Sequence, residues 1–344
     1  MKLFFAPEIP NVPHNILYGS YMGTWATQYA SNLFQSFPTD AVKALITAVT
    51  DPKEADYILV PHNYGKIAKR SEYIKTCEEL SRESGKQLMV VAYGDSHAPV
   101  AFSNAIVFRT SQYRNLKKEN EIIMPAYIED IGGGSVPRQK SGIPTVGFVG
   151  RGRAMDVVRE IRDRCTSFFV FPFRKQFPCA VSRLMPGLSV REKAMDMFVG
   201  KTDVVTRFIV RKTYSGNTHS IELDPHTARK EYIDTIRESD LTLSPKGEGN
   251  YSLRFFETLA ASRVPLLIDT CMELPLEHVV KYDECTVRVP FSSIATLHDQ
   301  VVEWWKGISE GEYVQMQQNA RKAFTEYLRI DKFFEHVFMG LLQK

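Results

Sequence analysis

Short apolar runs separated by amphipathic stretches organise the first third of the chain. Residues 2–5, 42–49, 57–61, 87–93, 105–109 and 122–126 are runs of buried-strand type, and between them residues 24–37 and 71–84 carry apolar positions three and four apart, the spacing of helices. This alternation predicts a mostly parallel sheet with helices on both faces. Residues 130–144 (DIGGGSVPRQKSGIP) break the pattern with three successive glycines and two prolines, the chemistry of a linker. A second alternation follows: strands over 145–149, 204–210, 241–243 and 264–269, helices over 154–164, 227–238 and 251–261. From Pro290 onward the pattern is helical only, over 294–308, 312–328 and 332–342. Residues 167–201 mix aromatic, proline and basic positions and fit neither period.

The expected architecture is therefore α/β, with two Rossmann-like domains facing a cleft and helices at the C-terminus. The first domain is expected over 1–135 and the second over 141–310, with 311–344 packing back on the first domain.

Composition narrows the function classes. A formal net charge of +3 over 344 residues, with no long Lys/Arg run, gives no bulk electrostatic footprint for nucleic acid or for a membrane surface. The five cysteines form neither a CxxC pair nor a zinc spacing, so they are expected as reduced thiols in a cytoplasmic protein. The opening MKLFFAPEIPN lacks the apolar length of a signal peptide, and no apolar run approaches the roughly 20 residues that span a bilayer.

Candidate chemistry concentrates in residues 244–257, SPKGEGNYSLRFFE. A short apolar strand runs into Lys246, Gly247, Gly249 and Asn250 and then into a helix, and ligands of open α/β sheets sit at such strand ends. The glycines permit close backbone approach, the helix start offers free N–H groups, and Ser252, Lys246 and Arg254 add a hydroxyl and positive charge. Together they suit a diphosphate. Asn250 or Ser252 equally suits the helix cap. Glu257, one turn after Arg254, is placed to accept two hydroxyls of a ribose. The same spacing also fits a surface Arg/Glu pair. Arg254, Glu257 and Ala261 share a face expected to look into the cleft. Arg151 and Arg153 follow the 145–149 strand and are further candidates for the leaving-group charge, with Arg207, Arg211 and Lys212 behind them.

The run from 243 to 277, LSPKGEGNYSLRFFETLAASRVPLLIDTCMELPLE, resembles the signature of the exostosin family, most closely its bacterial exostosin-like members. DPKEADYILVP at 51–61, VGFVG at 146–150 and the helix at 231–240 extend the resemblance over about residues 50 to 330. The resemblance implies a GT-B glycosyltransferase. It implies inverting transfer from a nucleoside diphosphate-sugar, a UDP-sugar first, to a glycan or glycolipid acceptor in polysaccharide, capsule or lipopolysaccharide assembly. No metal is expected, and no Asp-x-Asp occurs in the chain. On the same resemblance Ser252 and Arg254 meet the diphosphate and Glu257 the ribose.

An inverting transfer needs a base on the first domain. Asp95, in GDSH after the 87–93 strand, is the first candidate. His97 and His62 compete, since a neutral imidazole serves near pH 7. Asp95 also suits a turn cap. His14, Tyr18 and Trp25 are candidates for an acceptor groove. The competing class is a catalytically inactive exostosin-like subunit that binds glycan or nucleotide and supports an active partner.

Overall fold

The computed structural model describes residues 1–25, 37–152, 157–211 and 223–343, without the side chains of residues 157–160. The helix expected over 24–37 falls almost wholly outside the described residues, as do Arg153 and Lys212.

The first sheet contains β1 (Lys2–Phe5), β2 (Thr47–Ala48), β3 (Tyr57–Asn63), β4 (Leu88–Ala92), β5 (Ala105–Arg109) and β6 (Glu121–Ile123). Its order is β2-β1-β3-β4-β5-β6, and every pairing is parallel. Parallel strands need crossovers and cover on both faces, which explains why β4 and β5 are buried and apolar almost end to end. Crossovers include α1 (Ile16–Tyr21), α2 (Thr39–Ala44), α3 (Tyr64–Ile67) and α4 (Ser71–Ser84). The strand expected over 42–49 is a correction: the segment is mostly helix, and only Thr47–Ala48 pair, at the sheet edge. The β-branched residues there mimic a strand, but only Val42 of α2 is buried.

The second sheet has the order β11-β10-β9-β7-β8, again wholly parallel, from β7 (Thr145–Arg151), β8 (Val205–Arg211), β9 (Leu241–Ser244), β10 (Val264–Asp269) and β11 (Val287–Pro290). Residues 167–201, which fit neither period, form the end of α5 (Val157–Val170), a 3-10 segment over Phe171–Lys175, α6 (Pro178–Leu184) and α7 (Gly187–Asp196). They are followed by α8 (Pro225–Glu238) and α9 (Leu253–Ala260). The tail is α10 (Leu297–Gly307), α11 (Glu310–Ala323) with a Ser309/Glu312 capping box, a π turn over Phe324–Leu328, and α12 (Ile330–Leu342). Phe333 and Phe334 of α12 lie edge-on to Phe108 of β5, so the last helix rests on the first sheet. One apolar cluster joins Leu3, Phe108, Tyr127, Phe255, Leu259, Phe324 and Phe334, and so runs through both sheets' flanks and the tail. The fold is thus two parallel-sheet α/β domains with a helical C-terminus, the GT-B outline.

Cys179 and Cys271 are joined by a disulfide, Cα to Cα 5.3 Å. This corrects the expectation of five reduced thiols and removes the cysteine argument for a cytoplasmic setting. Cys77 and Cys285 are buried free thiols and Cys165 is exposed. Among the described residues no helix is long and apolar enough to cross a membrane.

Candidate functional site

The ends of β4 and β5 in the first domain meet the loop after β9 in the second. Gly249 donates its N–H to Asp95 Oδ1 at 3.1 Å, and Asn250 donates its N–H to Ser111 Oγ at 2.9 Å. Both ends of the Asn250 side chain are bonded: Nδ2 donates to Gln112 O at 2.9 Å, and Oδ1 accepts from Thr270 Oγ1 at 2.6 Å. Asn250 therefore ties the domains together and does not cap α9. A Cβ on Gly249 would stand 2.6 Å from Asp95 Cα, and one on Gly187 would stand 1.9 Å from Gly247 O. Two of the closest backbone approaches in the cleft therefore require glycine.

Asp95 is exposed, and the loop that carries it is held from below. Arg109, buried at the end of β5, pairs with buried Glu121 and donates through Nη2 to Ser96 O at 2.9 Å and Ala98 O at 3.1 Å. Thr110 Oγ1 accepts from Gly94 N and donates to Gly94 O. Sequence reasoning did not find Arg109. Its signal was a lone arginine ending an otherwise apolar strand, a position that requires a buried partner. His97 lies edge-on to Tyr113 with ring centroids 5.2 Å apart. Burial, reinforced by the positive charges of Arg183, Arg109 and Lys246, holds its pKa below the usual histidine value and favours the neutral ring. His62 lies farther along the sheet end, accepting from Ile9 N at 2.8 Å and stacked on His14 at 5.6 Å. His14 in turn bonds Glu8 and Thr24, Glu8 also accepts from Tyr18, and Trp25 packs against Tyr127.

Lys246 is not an open cation. Its Nζ is buried, donating to Ser182 O at 2.6 Å beside Tyr113 OH at 3.2 Å, and burial brings its pKa down to about 8. The charge acts on the loop from behind. Below pH 8 both folded and unfolded chains hold the proton, and the folded state carries the desolvation cost. Between about 8 and the ordinary lysine value the unfolded chain keeps a proton that the native state has released, so stability rises with pH. Urea melts should therefore show wild type gaining on the order of 2 kcal/mol relative to Lys246→Met between pH 7.5 and 10. Parallel pH profiles of the two proteins would show that the Lys246 proton is not coupled to folding.

Arg254 and Arg191 both reach the end of β7, and Arg191 also reaches the loop after β9. Arg254, in the first turn of α9, lies over the Phe148 ring at 4.1 Å from its centroid and within 5.7 Å of that of Tyr232, and donates to Val149 O. Its Nε is buried without a hydrogen-bond partner, as are those of Arg174, Arg211, Arg229 and Arg237, so the combination of ring stacking and the strand-end position is what sets Arg254 apart. Gly150 makes room for it: its φ is +154°, and a Cβ there would lie 2.9 Å from Arg254 Nη2. Arg191 of α7, unplaced by the sequence, reaches Lys246 O at 3.4 Å and Arg151 O at 3.2 Å, clasping the β7 end to the loop. Arg151 ends β7 beside Arg211 of β8 in register, and Arg211 pairs with Glu231 through Nη2 while its Nε is buried without a partner. Arg207 pairs with Glu238.

Ser252 occupies the N-cap position of α9 with no side-chain capping bond. Every residue from Arg254 to Ala260 is buried, so the Arg254/Glu257 face packs against β7 and α8, where an open cleft face was expected. Glu257 Oε1 accepts from Arg229 Nη1 at 2.8 Å, and Oε2 accepts from Tyr232 OH at 2.5 Å. Burial and then the Glu257 charge raise the Tyr232 pKa well above normal, keeping it a donor. Arg229 also reaches Glu129 at 3.3 Å. Arg229 and Tyr232 sit one turn apart on α8 and carried no motif of their own. Each carboxylate oxygen retains a second lone pair, so Glu257 can still accept from a ligand. Among the described residues no group of three or more His, Cys, Asp and Glu side chains is disposed to hold a metal.

Comparison with known proteins gives one family model, the Exostosin GT47 domain, matching residues 24–303. No curated protein matches the chain. Similar solved structures include TarM (10% identity, TM-score 0.41, covering 84% of this chain and 55% of TarM) and Anabaena HepE in complex with UDP (11% identity, TM-score 0.43, covering both chains fully). A third is the catalytic domain of Arabidopsis thaliana starch synthase IV bound to ADP and acarbose (8% identity, TM-score 0.34, covering 100% of this chain and 99% of that one). The chain spans about half the length of TarM.

Proposed function

Because the chain belongs to the exostosin GT47 family of glycosyltransferases, we propose that it transfers a sugar from a nucleoside diphosphate donor, a UDP-sugar first, to a glycan acceptor, with inversion and without a metal. The observation that carries this reading is Arg254: a buried, ring-stacked guanidinium with an unpartnered Nε, at the strand end beside a glycine loop. That donor suits a diphosphate oxygen, with Ser252 Oγ and the Lys246 charge beside it, while the Gly247, Gly249 and Asn250 N–H groups are bonded to Tyr251 O, Asp95 and Ser111 and would have to exchange those partners for the ligand. Glu257, fixed by Arg229 and Tyr232, suits the ribose hydroxyls.

Across the cleft Asp95 takes the proton of the acceptor hydroxyl as that oxygen attacks the anomeric carbon. The bond to the diphosphate breaks, and its electron pair leaves with the diphosphate. Cationic side chains, Arg254 foremost, offset the charge that develops there. Polysaccharide, capsule or lipopolysaccharide assembly is the setting proposed.

A second reading, a chain that binds nucleotide or glycan without turnover, draws on the Gly249 N–H being engaged by Asp95 and the Asn250 N–H by Ser111, so that the cleft is closed on itself. Incubation with a panel of nucleotide-sugars and glycan acceptors decides between them. Release of nucleoside diphosphate coupled to acceptor elongation is expected. Saturable nucleotide binding with no turnover on any acceptor would establish the second reading.

A further inference from the structure

The segment from α5 to α6 has its apolar side chains on the outside. Phe168, Phe169, Phe173 and Phe177 are 76, 69, 56 and 53% exposed, and they are all the strongly exposed phenylalanines among the described residues. Ile161 and Leu184, at either end of the same segment, are 58 and 57% exposed. On α5 the inversion is explicit: Ile161, Cys165 and Phe168, at i, i+4 and i+7, face outward, while Asp163 and Ser167 face the protein. Helices of water-facing surfaces show the opposite arrangement. Between Ile161 and Leu184 five basic residues, Arg162, Arg164, Arg174, Lys175 and Arg183, stand against the single acid Asp163, with Arg162 3.5 Å from Asp163 and Arg164 3.8 Å from Glu192 of α7. The rest of the chain is close to charge balance, so the basic character is concentrated here.

We propose that this surface seats the protein on an anionic lipid bilayer. Four rings within ten residues supply apolar area to enter the headgroup and acyl boundary, and the flanking guanidinium and ammonium groups match the negative surface, the combination that holds a protein on a membrane without spanning it. Charge selects this occupant over a second copy of the chain, since two copies would bring their own cations together. The surface is continuous with the cleft: α6 carries Ser182, whose carbonyl accepts from Lys246, and Cys179, which is bonded to Cys271. The lipid face therefore adjoins the wall of the loop after β9. The inference concerns surface binding and holds whether or not the chain transfers sugar.

The test is co-sedimentation of the whole protein with phosphatidylcholine vesicles, with and without phosphatidylglycerol, at low and high salt. Wild type should bind the anionic vesicles at least tenfold more tightly than the neutral ones, with weaker binding at high salt. Phe168→Ser/Phe169→Ser/Phe173→Ser and, separately, Arg162→Glu/Lys175→Glu should each lower that binding at least tenfold while leaving the melting temperature unchanged, because all five side chains are exposed. Equal sedimentation with both vesicle types would overturn the proposal. So would variants that bind as wild type does, or a triple variant that only converts a dimer to a monomer in light scattering.

Discussion

Arg254→Ala should lower kcat/KM for transfer by about 10²- to 10³-fold, the effect of removing one preorganised donor from a developing charge. The side chain is buried, stacked over Phe148, hydrogen-bonded to Val149 O, and still has an unpartnered Nε, so a bound diphosphate would satisfy a donor already in place. Arg254→Lys should recover little, because an ammonium supplies charge without the planar face that lies on the ring. Affinity for the nucleoside diphosphate alone, measured by calorimetry, should fall in parallel. Variants that fold as wild type does and keep affinity and turnover within threefold would remove Arg254 from the donor site.

Asp95→Asn should separate binding from chemistry. Asparagine keeps an oxygen that can accept from Gly249 N–H, so donor affinity should change by no more than about twofold, while loss of the base should lower kcat by about 10²- to 10⁴-fold. His97→Gln is the matched control, because its neighbours hold the imidazole neutral and hence able to compete for the proton. If His97 were the base, activity would fall as pH drops through its depressed pKa, that acid limb would disappear in His97→Gln, and Asp95→Asn would leave kcat intact.

The two domains, their parallel sheets and the loop with Arg254 were legible because each is written locally. Apolar runs of strand length, helical spacing over 71–84 and 227–238, and glycines between a strand and a helix all fall within a few residues of one another. What escaped was set by distant partners. Glu257 meets Arg229 and Tyr232, 28 and 25 residues away, and Lys246 meets Tyr113 across 133 residues, so no window of sequence shows that its ammonium is buried. The Cys179–Cys271 bond joins positions 92 residues apart and was invisible to counting. Arg191 was lost because the helices around it lack a clean period, a consequence of the outward-facing rings in the same stretch.

The apolar cluster that joins Phe108, Tyr127, Phe255 and Phe334 is hydrocarbon packing, whereas the bonds from Asp95, Ser111 and Gln112 to the loop after β9 are hydrogen bonds of backbone and short polar groups. The two sides respond differently to water. Separating the greasy side exposes hydrocarbon and is opposed, but every bond on the polar side can be exchanged for one to solvent at small net cost. Separating the two domains therefore costs less along the hydrogen-bonded edge than through the apolar cluster, like a book with an oily spine and wettable pages.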